Sequence, residues 1–282
     1  MTRLLRIASL ALPFLLIASS AYSDTVDDIA QRRTMNIGYR TDAPPFSTLD
    51  STNRPAGFAI ELCQRIVDAV GKATGKPIAP VFVPINASDR FDALEKRKID
   101  ILCGPTTVTL KRREQVDFTL FTFVTGGTLM IRAKSESPDM ESGANPKIGV
   151  LANTTSEAAL KRLVDTRQLK IEIVPVDTHD IAIGLLNSGV LDGYFADRDL
   201  LWDRKNNAAD PSAFAIAENL LTYEPYALAV PRGEDRLRLI SDRTLAELYR
   251  SGEIFHLIER WFPGAKPPNL LTALYFIQSL DD

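Results

Sequence analysis

Residues 99–119, IDILCGPTTVTLKRREQVDFT, decide how the chain is read. A short apolar run (Ile99, Ile101, Leu102) breaks at Gly104-Pro105 into a threonine-rich turn, a basic segment and then Asp117-Phe118. That is the pattern of a buried strand ending in a polar loop, with Thr109 placed to cap the next helix. In an open α/β sheet such strand ends face the ligand crevice. Thr106 and Thr107 bring hydroxyls there, and the next turn brings Arg112 to the same side. A guanidinium beside hydroxyls and free backbone N–H groups suits a carboxylate, which Arg binds bidentately. The competing reading is an exposed basic helix on which Arg112 is merely solvated.

Upstream, residues 34–40 (TMNIGYR) read as a strand. Gly57 opens a helix with Phe58, Leu62, Ile66 and Val70 at a spacing of four, ended by the group at 75–77. A strand at 81–83 follows, and Ser88 caps a short helix with Arg90, Phe91 and Leu94. Downstream, extended segments at 117–124 and 128–132 are split by Gly126-Gly127, and a polar stretch at 134–146 reads as an exposed loop. The alternation then restarts: strands at 147–151, 171–175 and 191–195, helices at 156–165, 180–187 and 199–205. A strand at 226–231, helices at 235–250 and 253–261, and a Pro267-Pro268 tail complete the chain. Repeated βα units imply an α/β fold with parallel strands. Its two halves share a plan, suggesting two lobes with a ligand between them. If the 226–231 strand returns to the first sheet, two parallel strands join the lobes, near 123–127 and 223–226, as a hinge. The expected division is a leader at 1–23, a first lobe of 24–124 plus 227–282, and a second lobe of 125–226.

The leader is the secretory kind. Arg3 and Arg6 precede an apolar run at 7–18, and Ala21-Tyr22-Ser23 supplies small residues for cleavage after Ser23. The run is short for a membrane span, which needs about 20 apolar residues, and no cysteine at its end suggests a lipoprotein. The formal charge of −3 becomes −5 once the leader's two arginines are removed. That mildly acidic balance argues against nucleic acid or anionic lipid as partner. The expectation is a soluble exported protein. Cys63 and Cys103 would form one disulfide in an oxidising compartment, or remain two buried thiols. Neither has a second ligand at a metal-site spacing, so neither metal nor cofactor is expected.

IGYRTDAPPFS, the GFAIELC helix start, the 99–119 stretch, the NTTSE loop and SGEIFHLIERWF together resemble the periplasmic solute-binding proteins of polar amino-acid ABC transporters (family 3), with the nearest likeness to glutamate/aspartate-binding proteins. The likeness runs from about residue 34 to 271 in the family's order and spacing. It implies the two-lobed type II periplasmic-binding-protein fold and delivery of a bound amino acid, L-glutamate or L-aspartate, to an inner-membrane permease, without catalysis. Arg112 matches the arginine for the ligand α-carboxylate, with Thr107 beside it. Asp197 matches the acid for the α-ammonium, and Thr154 a hydroxyl from the second lobe. Arg40, Arg90 and His179 match the cationic set around a side-chain carboxylate. Three positions depart from the pattern: Ala87 and Pro105 replace serines, and Leu151 stands where a threonine is usual. Those departures leave open another polar amino acid.

Each residue also has a plainer reading. Arg40 would form a structural ion pair, Arg90 would be solvated, and His179 or Asp197 would cap a helix. Tyr39, Phe46 and Phe58 would wall the pocket, although Phe58 also suits the helix core face. Two other functions compete with binding. One is an enzyme on the same scaffold resembling cyclohexadienyl dehydratase, with His179 and Asp180 as its acid–base pair. The other is a separate soluble sensor subunit.

Overall fold

A computed structural model describes residues 24–133, 135, 138, 140, 144–264 and 267–281. The expected leader and much of the 134–146 loop lie outside the described residues. Asp24 accepts the Val26 N–H at 2.7 Å and so caps α1 (Thr25–Arg32), an element absent from the sequence reading. Next come β1 (Thr34–Arg40) and a small antiparallel patch of β2 (Asp42–Ala43), β3 (Ser47–Leu49) and β4 (Pro55–Ala56). The expected helix follows as α2 (Phe58–Thr74), which buries Phe58, Leu62, Ile66 and Val70 and ends at Gly75 in the left-handed region. Then come β5 (Ala79–Ile85), α3 (Arg90–Glu95), β6 (Ile101–Cys103) and β7 (Val116–Thr125).

The second half holds β8 (Gly127–Arg132), β9 (Lys147–Leu151), α4 (Thr155–Arg167), β10 (Glu172–Val176), α5 (His179–Asn187), β11 (Gly193–Asp197), α6 (Arg198–Asn206) and β12 (Phe214–Ile216). The chain returns through β13 (Glu224–Pro231) and continues into α7 (Asp235–Ser251), α8 (Glu253–Trp261) and α9 (Asn269–Ile277). The region after Pro267-Pro268 is thus a helix rather than a tail, held by buried Leu271 and Tyr275.

Two five-stranded sheets result, ordered β5-β1-β6-β13-β7 and β10-β9-β11-β8-β12. Strands β5, β1 and β6 are parallel, as are β10, β9 and β11. This is the two-lobed α/β architecture. β7 carries the chain out of the first sheet and β13 carries it back, so the two run antiparallel, with Glu224 opposite Thr125. That corrects the expectation of parallel hinge strands: an outgoing and a returning strand reverse direction by necessity. Gly126 is the single residue between β7 and β8, and a Cβ there would stand 2.1 Å from the Thr222 carbonyl oxygen, so only glycine fits.

The first-lobe core centres on Phe46, Phe58, Phe123, Tyr226 and Phe262, with ring centroids 5.0–6.5 Å apart. Phe46 and Phe58 are therefore core rather than pocket wall. Cys63 on α2 and Cys103 on β6, both fully buried, form a disulfide with their Cα atoms 6.3 Å apart. The free-thiol alternative falls.

Candidate functional site

The seven residues singled out in the sequence line one narrow cavity of about 30 Å³ between the lobes: Arg40, Arg90, Thr107 and Arg112 from one side, Thr154, His179 and Asp197 from the other. The departing residues Pro105 and Leu151 line it too. Thr107 Oγ1 lies 3.2 Å from Thr155 Oγ1, the Tyr226 hydroxyl donates to Asp197 Oδ2, and Arg204 Nη2 donates to the Asp42 carbonyl at 2.7 Å. These three bonds join the lobes across the cleft.

Arg40 ends β1 with its side chain buried. Its Nε and Nη2 grip both carboxylate oxygens of Asp42 at 2.8 and 2.9 Å. Burial works against the Asp42 charge, but this hydrogen bonding and the guanidinium charge hold the carboxyl below its usual range. Arg40 is thus a cavity wall already matched by a protein carboxylate, a pairing possible because the β2–β3 hairpin folds Asp42 back.

Arg90 opens α3 and is 4% exposed. Ser88 does not cap this helix. The turn is built on Asn86 instead, whose Oδ1 accepts the Ser88 and Asp89 N–H groups at 2.9 and 3.1 Å. Arg90 Nη1 donates to the Ala87 carbonyl, and Nε has no partner among the described residues. Its guanidinium lies over the Phe91 ring at 4.7 Å, and that of Arg112 lies 5.1 Å from the same centroid. Burial first, then the charges of Arg112 and Arg40, push Arg90 well below the usual arginine range. A buried guanidinium beside two others, and bonded to no carboxylate among the described residues, is an anion-seeking group.

Arg112 sits in a single 3₁₀ turn, residues 112–114, rather than a longer helix. Its N–H donates to Thr109 Oγ1 at 3.1 Å, and Nη1 donates to the Thr107 carbonyl at 2.7 Å, fixing the side chain toward the cavity. Burial lowers its pKa, against the opposing charges of Glu224 and Asp197.

In the second lobe, Thr154 Oγ1 donates to the Leu151 carbonyl at 2.6 Å and accepts the Glu157 N–H, so its hydroxyl caps α4. The hydroxyl that reaches across the cleft belongs to its neighbour Thr155, present in the NTTSE loop but not singled out. Asp197 ends β11, 7% exposed, and Ser156 Oγ donates to its Oδ1 at 3.2 Å. Burial, reinforced by Glu224, raises its pKa to about 7 despite the hydrogen bonds from Tyr226 and Ser156. His179, the first residue of α5, lies 2.6 Å from the Tyr194 hydroxyl through Nδ1, while Nε2 has no partner among the described residues. Burial and the Arg40 charge push its pKa down to about 3. Burial thus favours a neutral ring at the cavity wall.

The arginine of the 112–114 turn and the acid that ends β11, lining one cavity between two α/β lobes, can hold the carboxylate and ammonium of one zwitterion. Residues 35–264 match the bacterial extracellular solute-binding proteins, family 3. The chain belongs to that family. Family-3 relatives include the glutamate/aspartate import solute-binding protein of Escherichia coli (strain K12), 27% identical over 256 residues that cover 90% of this chain and 85% of that one. The L-glutamate/L-aspartate-binding protein of Pseudomonas aeruginosa is 25% identical, covering 91% and 85%. Among solved structures, an ancestral amino acid-binding protein described as a precursor of cyclohexadienyl dehydratase superposes with a TM-score of 0.74 at 25% identity, covering 84% of this chain and 99% of that one. These curated family-3 relatives carry binding and import names. No helix among the described residues is long and apolar enough to cross a membrane.

Proposed function

We propose that this family-3 protein captures an acidic L-amino acid, aspartate or glutamate, in the periplasm by closure of its lobes and delivers it to an inner-membrane permease, acting as a monomer without covalent chemistry. The observation that carries the reading is Arg90, buried, unpaired with any carboxylate among the described residues, and set beside Arg112 and opposite Asp197. Arg112 and Thr107 take the α-carboxylate, Asp197 takes the α-ammonium, and Arg90 takes the second carboxylate. His179 adds a neutral hydrogen bond, Arg40 shapes the wall, and Thr154 orders the second-lobe loop. A zwitterion buried here needs each charge paired, because an unpaired buried charge costs several kcal/mol. The names of the E. coli and P. aeruginosa relatives support this ligand class.

The first sheet with α1–α3 and α7–α9 moves as one lobe and the second sheet with α4–α6 as the other, about the crossings at Gly126 and Thr222–Glu224. Thr125 and Glu224–Tyr226 pair in the first sheet, so the boundaries fall a few residues from 124 and 227. A cavity of about 30 Å³ holds only a water or two, so a ligand enters with the lobes parted, and its contacts favour the closed state. The test is calorimetric titration of refolded, ligand-stripped protein with aspartate, glutamate, asparagine and glutamine. Tight binding of the two acids alone supports the reading. Preference for an amide keeps Arg112 and Asp197 but removes the role given to Arg90.

A further inference from the structure

The two crossings bring a second carboxylate to Asp197. Glu224 opens β13 opposite Thr125 in the first sheet, and Asp197 closes β11 opposite Gly127 in the second. Only Gly126 separates those two partners, so the acids flank one crossing. A relay of hydrogen bonds fixes them there: Gly127 N–H donates to Thr222 Oγ1 at 2.8 Å, and that hydroxyl donates to Glu224 Oε1 at 3.0 Å. Glu224 is 3% exposed, and its Oε2 has no partner among the described residues. Both Asp197 oxygens are engaged by neutral hydroxyls, from Tyr226 and Ser156. The charged and titratable groups that face the pair are Arg112 from the 112–114 turn, Tyr226 from β13 and Asp199 from α6. One guanidinium thus faces two buried carboxylates, and a ligand carboxylate claims that same guanidinium.

We infer that Glu224 is a specificity-determining positioning residue: paired with Asp197, it makes this end of the cleft demand a cationic amine on the ligand. An α-ammonium supplies the missing positive charge. A 2-hydroxy acid of the same shape takes Arg112 and leaves both acids without a counter-charge, which is costly in a low-dielectric site. Until an ammonium arrives, a proton on Asp197 serves instead. The arriving ammonium displaces it, so binding releases protons and weakens as the medium is acidified. The raised pKa of Asp197, for which Glu224 is the main cause after burial, agrees with this.

The inference rests on the amino-acid reading of the site but not on an acidic side chain. L-Aspartate and L-malate, which differ only in ammonium against hydroxyl, are titrated into the wild-type protein, Glu224→Gln and Glu224→Asp at pH 6 and pH 8, in two buffers of different ionisation enthalpy. Glu224→Gln should reduce the aspartate-over-malate preference about tenfold, one pK unit's worth of interaction. It should also flatten the pH dependence of aspartate binding and reduce the protons released. Glu224→Asp, which keeps the charge, should restore part of all three. A Glu224→Gln protein that melts like the wild type and keeps its preference, pH profile and proton count overturns the inference. If aspartate does not bind the wild type, the acidic-ligand reading has failed, and the amino acid that does bind, with its 2-hydroxy analogue, carries the same test.

Discussion

The Tyr226 hydroxyl, carried on the returning strand of the first lobe, donates to Asp197 Oδ2 at the end of β11 in the second. The proposed ammonium-binding acid is therefore tied to the strand about which the lobes swing. Tyr226→Phe removes the tie while keeping the ring in its aromatic cluster. Hydrogen bonds to charged groups contribute about 1.5–3 kcal/mol, so amino-acid affinity should fall tenfold or more by calorimetry, with little change in thermal unfolding. Unchanged affinity would show that the contact plays no part in closure.

Two buried groups should set opposing pH dependences of stability. Asp197 is raised from 3.8 to about 7, so the folded chain holds a proton that the unfolded chain has lost. Its contribution is complete below about pH 4 and disappears as pH rises through 7. His179 is lowered from 6.5 to about 3, so the unfolded chain binds a proton that the folded chain refuses. Its contribution is complete above about pH 6.5 and is lost as pH falls toward 3. Asp197→Asn should leave ligand-free stability rising between pH 4 and 6.5, and His179→Gln should leave it falling between pH 4 and 7. Urea midpoints across that range check both signs; parallel profiles for the two variants would refute them.

Asp42 occupies two of the donors of Arg40. Asp42→Asn should return much of that guanidinium's charge to the cavity and strengthen aspartate and glutamate binding severalfold, leaving amides nearly unaffected. The Arg204 contact is to the Asp42 backbone carbonyl and survives the change. Competitive titration of acid against amide reads the outcome. A loss of acid affinity would mean that Asp42 serves the ligand indirectly by holding Arg40 in place.

The disulfide closes a loop with a sequence separation of 40 inside the first lobe, and neither cysteine lines the cavity. Cys63→Ala with Cys103→Ala should cost about 2–4 kcal/mol of unfolding free energy and leave the ligand Kd unchanged. Denaturant unfolding and calorimetry on the same sample separate the two. A large change in Kd would place the bridge in the closure mechanism.

Strand-end and helix-start positions were readable in the sequence because a switch from apolar run to polar turn marks them, and the seven nominated residues all meet at one cavity. What each does there depends on partners far along the chain or across a turn. Arg40 looks like a free cation until the β2–β3 hairpin folds Asp42 onto it. His179 looks cationic until burial beside Arg40 neutralises it. The Thr154 hydroxyl is taken by its own helix cap, and the hydroxyl that crosses the cleft is that of Thr155. Helices α1 and α9 escaped notice because each is short and defined by docking on the first lobe rather than by a long apolar period. The antiparallel pairing of β7 and β13 is a property of topology, which hydrophobic spacing does not encode.

Arg90 is the proposed receptor of the second ligand carboxylate. Arg90→Met keeps much of the side-chain volume against Phe91 and removes the charge. The decisive measurement is the ratio of asparagine to aspartate dissociation constants, taken by calorimetry for the wild type and this variant. A strong preference for aspartate in the wild type should collapse by a hundredfold or more in the variant, about 2.7 kcal/mol or more, mainly through lost aspartate affinity. An equal loss for both ligands, or an unchanged ratio, would contradict that role.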